Sequence, residues 1–320
     1  MILVNNTTNG NQTGFSPVER HQQAPWLAAT VLGCVCVLMS LWLCIAMLCY
    51  GIQYRKFSRR TSGFILYLLA FVAVASGLAF LISVLVSVNI GFIASESDVC
   101  NILTKFSVEL LVTSNSLVYL FLWTKQATLY QSPALEHLQH RWIKVMSYTS
   151  VVLMVLGQHV AGMAFNVLNV FASTDFGCRY VDAYHKWPSL AASSVNAIGQ
   201  ALMLFLLLYP FHCANQRQGT KASMSIVKRT TVTTFICVLT DAVAGIANGI
   251  FVLSSNHLPL SIYGCSVTAN LMAVLLTYET WRCIIVSPFG GSKAWKSRTP
   301  VLSVSDGTPV KKIRDPMIKT

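Results

Sequence analysis

Long apolar runs, separated by short polar and basic stretches, set the pattern of this chain. Seven runs stand out, over residues 26–50, 64–90, 101–124, 145–171, 190–211, 230–254 and 260–281. Each is long enough to cross a hydrocarbon core of about 30 Å, which takes about 20 mainly apolar residues. The runs lack the alternation over about 10 residues that marks a membrane β-strand. A helix satisfies its own backbone where lipid offers no hydrogen-bond partner, so helices are expected throughout. Short connections make successive helices antiparallel. The pattern predicts an all-α membrane protein, a seven-transmembrane helix bundle over residues 26–285. Residues 1–25 form a polar tail before it, and residues 286–320 a polar, disordered one after it.

Composition closes off the other classes. Hydrophobic residues make up 54% of the 320 and charged residues 11%. A soluble domain carries about 25% charged residues. The formal net charge of +12 would suit a nucleic-acid partner, but its placement argues otherwise. Nineteen of the 23 lysines and arginines fall in the loops and tail on one side of the predicted bundle. Arg20, Arg179 and Lys186 fall on the other, and Lys105 lies inside the third run. Basic loops stay in the cytosol, so the N-terminus is expected outside the cell and the protein in the plasma membrane as a multi-pass chain. The basic face attracts anionic membrane lipid, and no nucleic acid is implied. Asn5, Asn6 and Asn11 each open an N-x-Thr sequon, which only an outside tail can use for glycosylation.

Ten cysteines are present, most of them inside apolar runs, where a thiol acts as a small apolar packer. Only Cys100 and Cys178 fall on the predicted outer face. An oxidising compartment and a short connecting loop predict a disulfide between them. Cys283, next to the inner membrane surface, is a palmitoylation candidate.

Polar groups inside the runs are the candidate ligand-binding residues. A charge at membrane depth costs about 2.5–3.5 kcal/mol and usually faces the bundle interior. Glu109 lies nine residues past Cys100 and Asp241 twelve past Arg229, which puts both at similar depth, about 14–18 Å along their helices. Together they read as the polar floor of an outward-facing pocket, joined by His159, Asn248, Tyr263 and Ser266. Structural readings stand beside that one. Glu109 can pair with Lys105 one turn earlier, Asp241 can bond a hydroxyl such as Thr240 or another helix, and His159 can be a packing residue. Gly157, Gly162, Gly245 and Gly249 are spaced for close helix contact. The residues call for no cofactor and no metal ion, and no enzyme activity is expected.

Seven helices, an outside glycosylated tail, and a cysteine topping the third helix with its partner in the second outer loop resemble a rhodopsin-like G-protein-coupled receptor. The resemblance is architectural and covers about residues 26–285. Its sequence motifs diverge. Thr124-Lys125-Gln126 stands where that family carries Asp/Glu-Arg-Tyr, with Pro133 following. Neither Cys-Trp-x-Pro in the sixth helix nor Asn-Pro-x-x-Tyr in the seventh is present. The resemblance implies an extracellular ligand and a heterotrimeric G protein met by the inner basic rim of Lys125, Arg141, Lys228 and Arg229. A transporter or channel is the alternative, and an intramembrane hydrolase a more distant one, with only His159, Asp241 and Glu109 to offer a metal.

Overall fold

The structure is a computed structural model that describes residues 17–54, 63–90, 97–131, 140–174, 177–180, 187–214, 221–251, 258–278 and 280–289. Its helices are α1 (Pro17–Gln53), α2 (Phe64–Asn89), α3 (Ser97–Tyr130), α4 (Arg141–Val152) and α5 (Gln158–Leu168), then α6 (Trp187–Ala214), α7 (Lys221–Phe251), α8 (Leu258–Leu276) and α9 (Trp281–Val286). A π-helical segment, Leu153–Gly157, joins α4 to α5 in one rod. Among the described residues six helices are long and apolar enough to cross a membrane: α1, α2, α3, the α4–α5 rod, α6 and α7.

Their outward faces are apolar. Leu38 on α1 is 65% exposed, Ile102 on α3 68% and Val167 on α5 79%. Water would not tolerate such surface around a whole chain, and lipid does. The buried side is enriched in small and polar residues, as helix contacts in lipid require. Gly77 on α2 is one such contact. A Cβ there would stand 2.8 Å from Leu271 Cδ1 on α8 and 3.0 Å from Ser114 Oγ on α3, so three helices close on one bare Cα. The rod and α6 interlock in both directions. Val195 of α6 sits over Gly157, and Met154 of the π segment sits over Gly199 of α6. Of the other glycines expected at close contacts, Gly162 abuts Val112, whereas a Cβ on Gly245 would have, among the described residues, only Ser193 Oγ within 4.0 Å. The surroundings of Gly249 lie outside the described residues.

Three expectations change. First, α1 begins at Pro17 and not near residue 26. Proline suits a first helical position, where its missing N–H costs nothing. Second, α8 ends at Leu276, short of residue 281. Its last turn tightens, with Thr277 N–H donating to Val274 O and Tyr278 N–H to Leu275 O. The chain then turns into α9, tied to α1 by Tyr50 and Thr280 hydroxyls 3.1 Å apart. Third, the segment after α5 is a β-hairpin, β1 (Phe171–Thr174) antiparallel to β2 (Gly177–Tyr180). Apart from short connecting residues, the remainder of the described chain is helical, in keeping with an all-α class.

The hairpin lies against the ends of α2 and α3. Gly177 has φ of 97°, and a Cβ on it would stand 2.6 Å from Val88 O. That backbone oxygen cannot give way, so position 177 needs glycine on both counts. The Cys100–Cys178 disulfide is formed, with Cα atoms 5.7 Å apart. Both cysteines are buried with Ile90 and Phe171 in a small apolar cluster separate from the main core.

Candidate functional site

The polar centre of the bundle is the carboxylate of Asp241 on α7. Oδ2 accepts from the Tyr119 hydroxyl on α3 and, at 2.7 Å, from Gln200 Nε2 on α6. Oδ1 accepts from Ser266 Oγ at 2.6 Å and Asn270 Nδ2 at 2.9 Å, both on α8. Gln200 Nε2 also donates to the Tyr119 hydroxyl. Thr240 Oγ1 donates to Asn270 Oδ1 at 2.8 Å, holding that amide with its NH₂ toward the carboxylate. Tyr119 is 0% exposed and Gln200 3%. Four donors from three helices therefore fill two oxygens on a fourth helix. A carboxylate has about four acceptor positions, and these partners occupy them without bringing a positive charge.

The site arises from helical spacing. Ser266 and Asn270 are four residues apart and share one face of α8. Tyr119 and Gln200 are polar residues deep in otherwise apolar helices, each facing α7. Sequence reasoning singled out Asp241 and Ser266 but passed over Tyr119 and Gln200. Of the two structural partners expected for Asp241, a hydroxyl such as Thr240 or another helix, the other helices supply the donors, and Thr240 acts one bond away, through Asn270. A polar residue more than two turns from either helix end was the available signal for Gln200 and Tyr119.

Glu109 does not join this site. Its Oε1 accepts from Asn166 Nδ2 on α5 at 2.7 Å, and Asn166 Nδ2 also lies 3.4 Å from Lys105 O. The expected pairing with Lys105 is not made; Asn166 takes the carboxylate. Glu109 is ten residues before Tyr119 on α3, so the Cα atoms of these two α3 residues are about 15 Å apart along the helix axis, and the two carboxylates share no hydrogen-bond partner. The expected common floor is therefore two separate sites. His159 faces α3 as well. Its Nδ1 bonds Val155 O at 2.8 Å, with Ser116 Oγ at 3.5 Å, so the ring is engaged within the π segment and the α3 seam. Tyr263 packs against the main core. The side chain of Asn248 lies outside the described residues, as do Asn5, Asn6 and Asn11.

At the opposite end from the disulfide, Arg141, Lys228 and Arg229 are exposed. Lys125 differs from the expected rim position. Its Nζ donates to Thr277 O at 2.7 Å and lies 5.4 Å from the Tyr278 ring centre and 5.8 Å from that of Phe121. A cation on the last carbonyls of a helix complements its dipole, so Lys125 ties α3 to the end of α8. Cys283 is a free, half-buried thiol on α9.

Among the described residues several buried polar atoms lack a hydrogen-bond partner, including those of three residues on α3 and α7. Asn115 Oδ1 lies one turn from Tyr119 toward the disulfide end of α3, and both amide atoms of Gln126 and the Thr231 hydroxyl lie toward the other end. Among the described residues no three His, Cys, Asp or Glu side chains gather to hold a metal ion. No protein-family model matches the chain, and no curated protein matches it.

Proposed function

We propose that this multi-pass membrane protein is a seven-helix receptor. In this reading α8 is the seventh crossing, its 19 residues reaching about 28 Å. The N-terminus lies outside the cell, the basic loops lie in the cytosol, and a heterotrimeric G protein is the inner partner. The observation that carries the reading is the Asp241 junction. An ionisable residue at membrane depth marks function by default. Here one carboxylate ties α3, α6, α7 and α8 together, so any ligand that competes for its donors changes the packing of four helices at once. Ligand binding shifts a helix equilibrium only by its differential affinity for two arrangements, and such a junction supplies the difference. The same helix α7 carries exposed Lys228 and Arg229 about 18 Å further along, which couples the junction to the basic rim.

Guanine-nucleotide exchange on purified G-protein heterotrimers, added to membranes holding the full chain, tests this. Exchange above that of empty membranes is expected, with Asp241→Asn shifting the basal rate several-fold and Glu109→Gln leaving it at the wild-type level. No exchange on any G-protein class would overturn the receptor reading. Solute or ion flux into vesicles that Asp241→Asn abolishes would favour the transporter instead.

A further inference from the structure

Two free thiols meet between α1 and α8. Cys36 Sγ and Cys265 Sγ are 3.6 Å apart, and neither is in a disulfide. Among the described free cysteines no other pair of sulfurs is in such contact. The helices are held in register around them. Ser261 Oγ on α8 lies 3.4 Å from Ala29 O on α1, one turn before Cys265 and two turns before Cys36. A disulfide needs its sulfurs at about 2.05 Å, so the gap to close is about 1.5 Å, within reach of small side-chain rotations.

We propose that Cys36 and Cys265 are an oxidation site for a hydroperoxide, forming a cross-link that locks α8 onto α1. One thiol sulfur attacks the peroxide O–O bond, giving a sulfenic acid and releasing the alcohol, or water if the oxidant is hydrogen peroxide. The second sulfur then displaces water from that sulfenic acid. Two thiols lose two hydrogens, the S–S bond forms, and the peroxide is reduced by two electrons. Cys36 is twelve residues past Ala24, about 18 Å into the span, a depth that excludes charged thiol reagents and admits a neutral peroxide. The cross-link falls next to Ser266 and five residues before Asn270, so it fixes the helix that supplies two of the four donors to Asp241. The proposal stands apart from the receptor reading and needs only the helix pair.

Its test uses the full chain in nanodiscs. The protein is treated separately with hydrogen peroxide, cumene hydroperoxide as a lipid-like peroxide, and oxidised glutathione, then alkylated, digested and mapped by mass spectrometry. The expected product is a peptide pair joined through Cys36 and Cys265, two hydrogens lighter than its parts, formed by a peroxide and not by glutathione. A larger yield from cumene hydroperoxide than from hydrogen peroxide would name the lipid peroxide as the source, and the reverse the aqueous one. The product vanishes in Cys36→Ser and in Cys265→Ser and returns to free thiols on reduction. The melting midpoint rises on oxidation in the wild type and in neither variant. Should wild-type Cys36 and Cys265 stay free, or carry separate adducts like the lone lipid-facing Cys34, the proposal is overturned.

Discussion

Asp241→Ala lowers the thermal midpoint of the purified protein in detergent by about 5–10 °C. The change removes the acceptor for Tyr119, Gln200, Ser266 and Asn270 together and leaves four buried donors without it. An interhelical hydrogen bond in a membrane contributes about 0.6 kcal/mol on average and about 1.7 at most. Four such bonds on one group place the loss at about 2–4 kcal/mol, because the orphaned donors also keep their desolvation cost. Asp241→Asn retains the shape and one carbonyl oxygen, so it loses less. Tyr119→Phe removes a single donor and costs least of the three. Combining Tyr119→Phe with Asp241→Ala should cost clearly less than the sum of the two single changes, since both remove the Tyr119–Asp241 bond and only the Gln200–Tyr119 bond is lost in addition. Differential scanning fluorimetry reads the whole series. Full additivity would mean that the two side chains act independently and that the junction is not a unit.

The second large effect belongs to the hairpin end. Cys100→Ser and Cys178→Ser each lower the melting midpoint by about 5 °C or more, and the double variant loses no more than the worse single one. The bridge joins residues 78 apart in sequence. Chain-entropy reasoning assigns a loop of that length about 4.5 kcal/mol. Much of the loop is membrane helix that stays ordered after tertiary packing is lost, which brings the expected loss down to about 2–3 kcal/mol. The buried cluster of Ile90, Phe171 and the two cysteines carries the remainder of the attachment. A reductant acting on the wild type should reproduce the shift, and a double variant that melts with the wild type would contradict it.

The elements were legible where a run is both apolar and sharply bounded. Helix α2 was expected over residues 64–90 and spans Phe64–Asn89, because Gly63, with φ of 81°, and basic residues precede it. Boundaries drifted where amphipathic residues extend a helix past its apolar stretch. Helix α7 starts at Lys221, nine residues ahead of expectation, and α3 runs on to Tyr130. The extension of α3 explains one site-level difference. Lys125 was placed on an open rim, although α3 continues past it and Lys125 lies against Thr277, Phe121 and Tyr278. The disulfide was readable because only two cysteines fell on one face. The partners of Asp241 were not, because which polar residues of α3, α6 and α8 face α7 depends on helix rotation, and near-uniform apolar helices carry little periodic signal to fix it.

The account rests on an odd number of membrane crossings with the basic loops inside, and the accessibility of the two chain ends tests that most directly. With different epitopes at the N- and C-termini, the account predicts that antibody labels the N-terminal tag on intact cells and the C-terminal tag only after permeabilisation. Both tags on the same side would mean an even number of crossings, leave α8 short of the far surface, and contradict the seven-helix receptor.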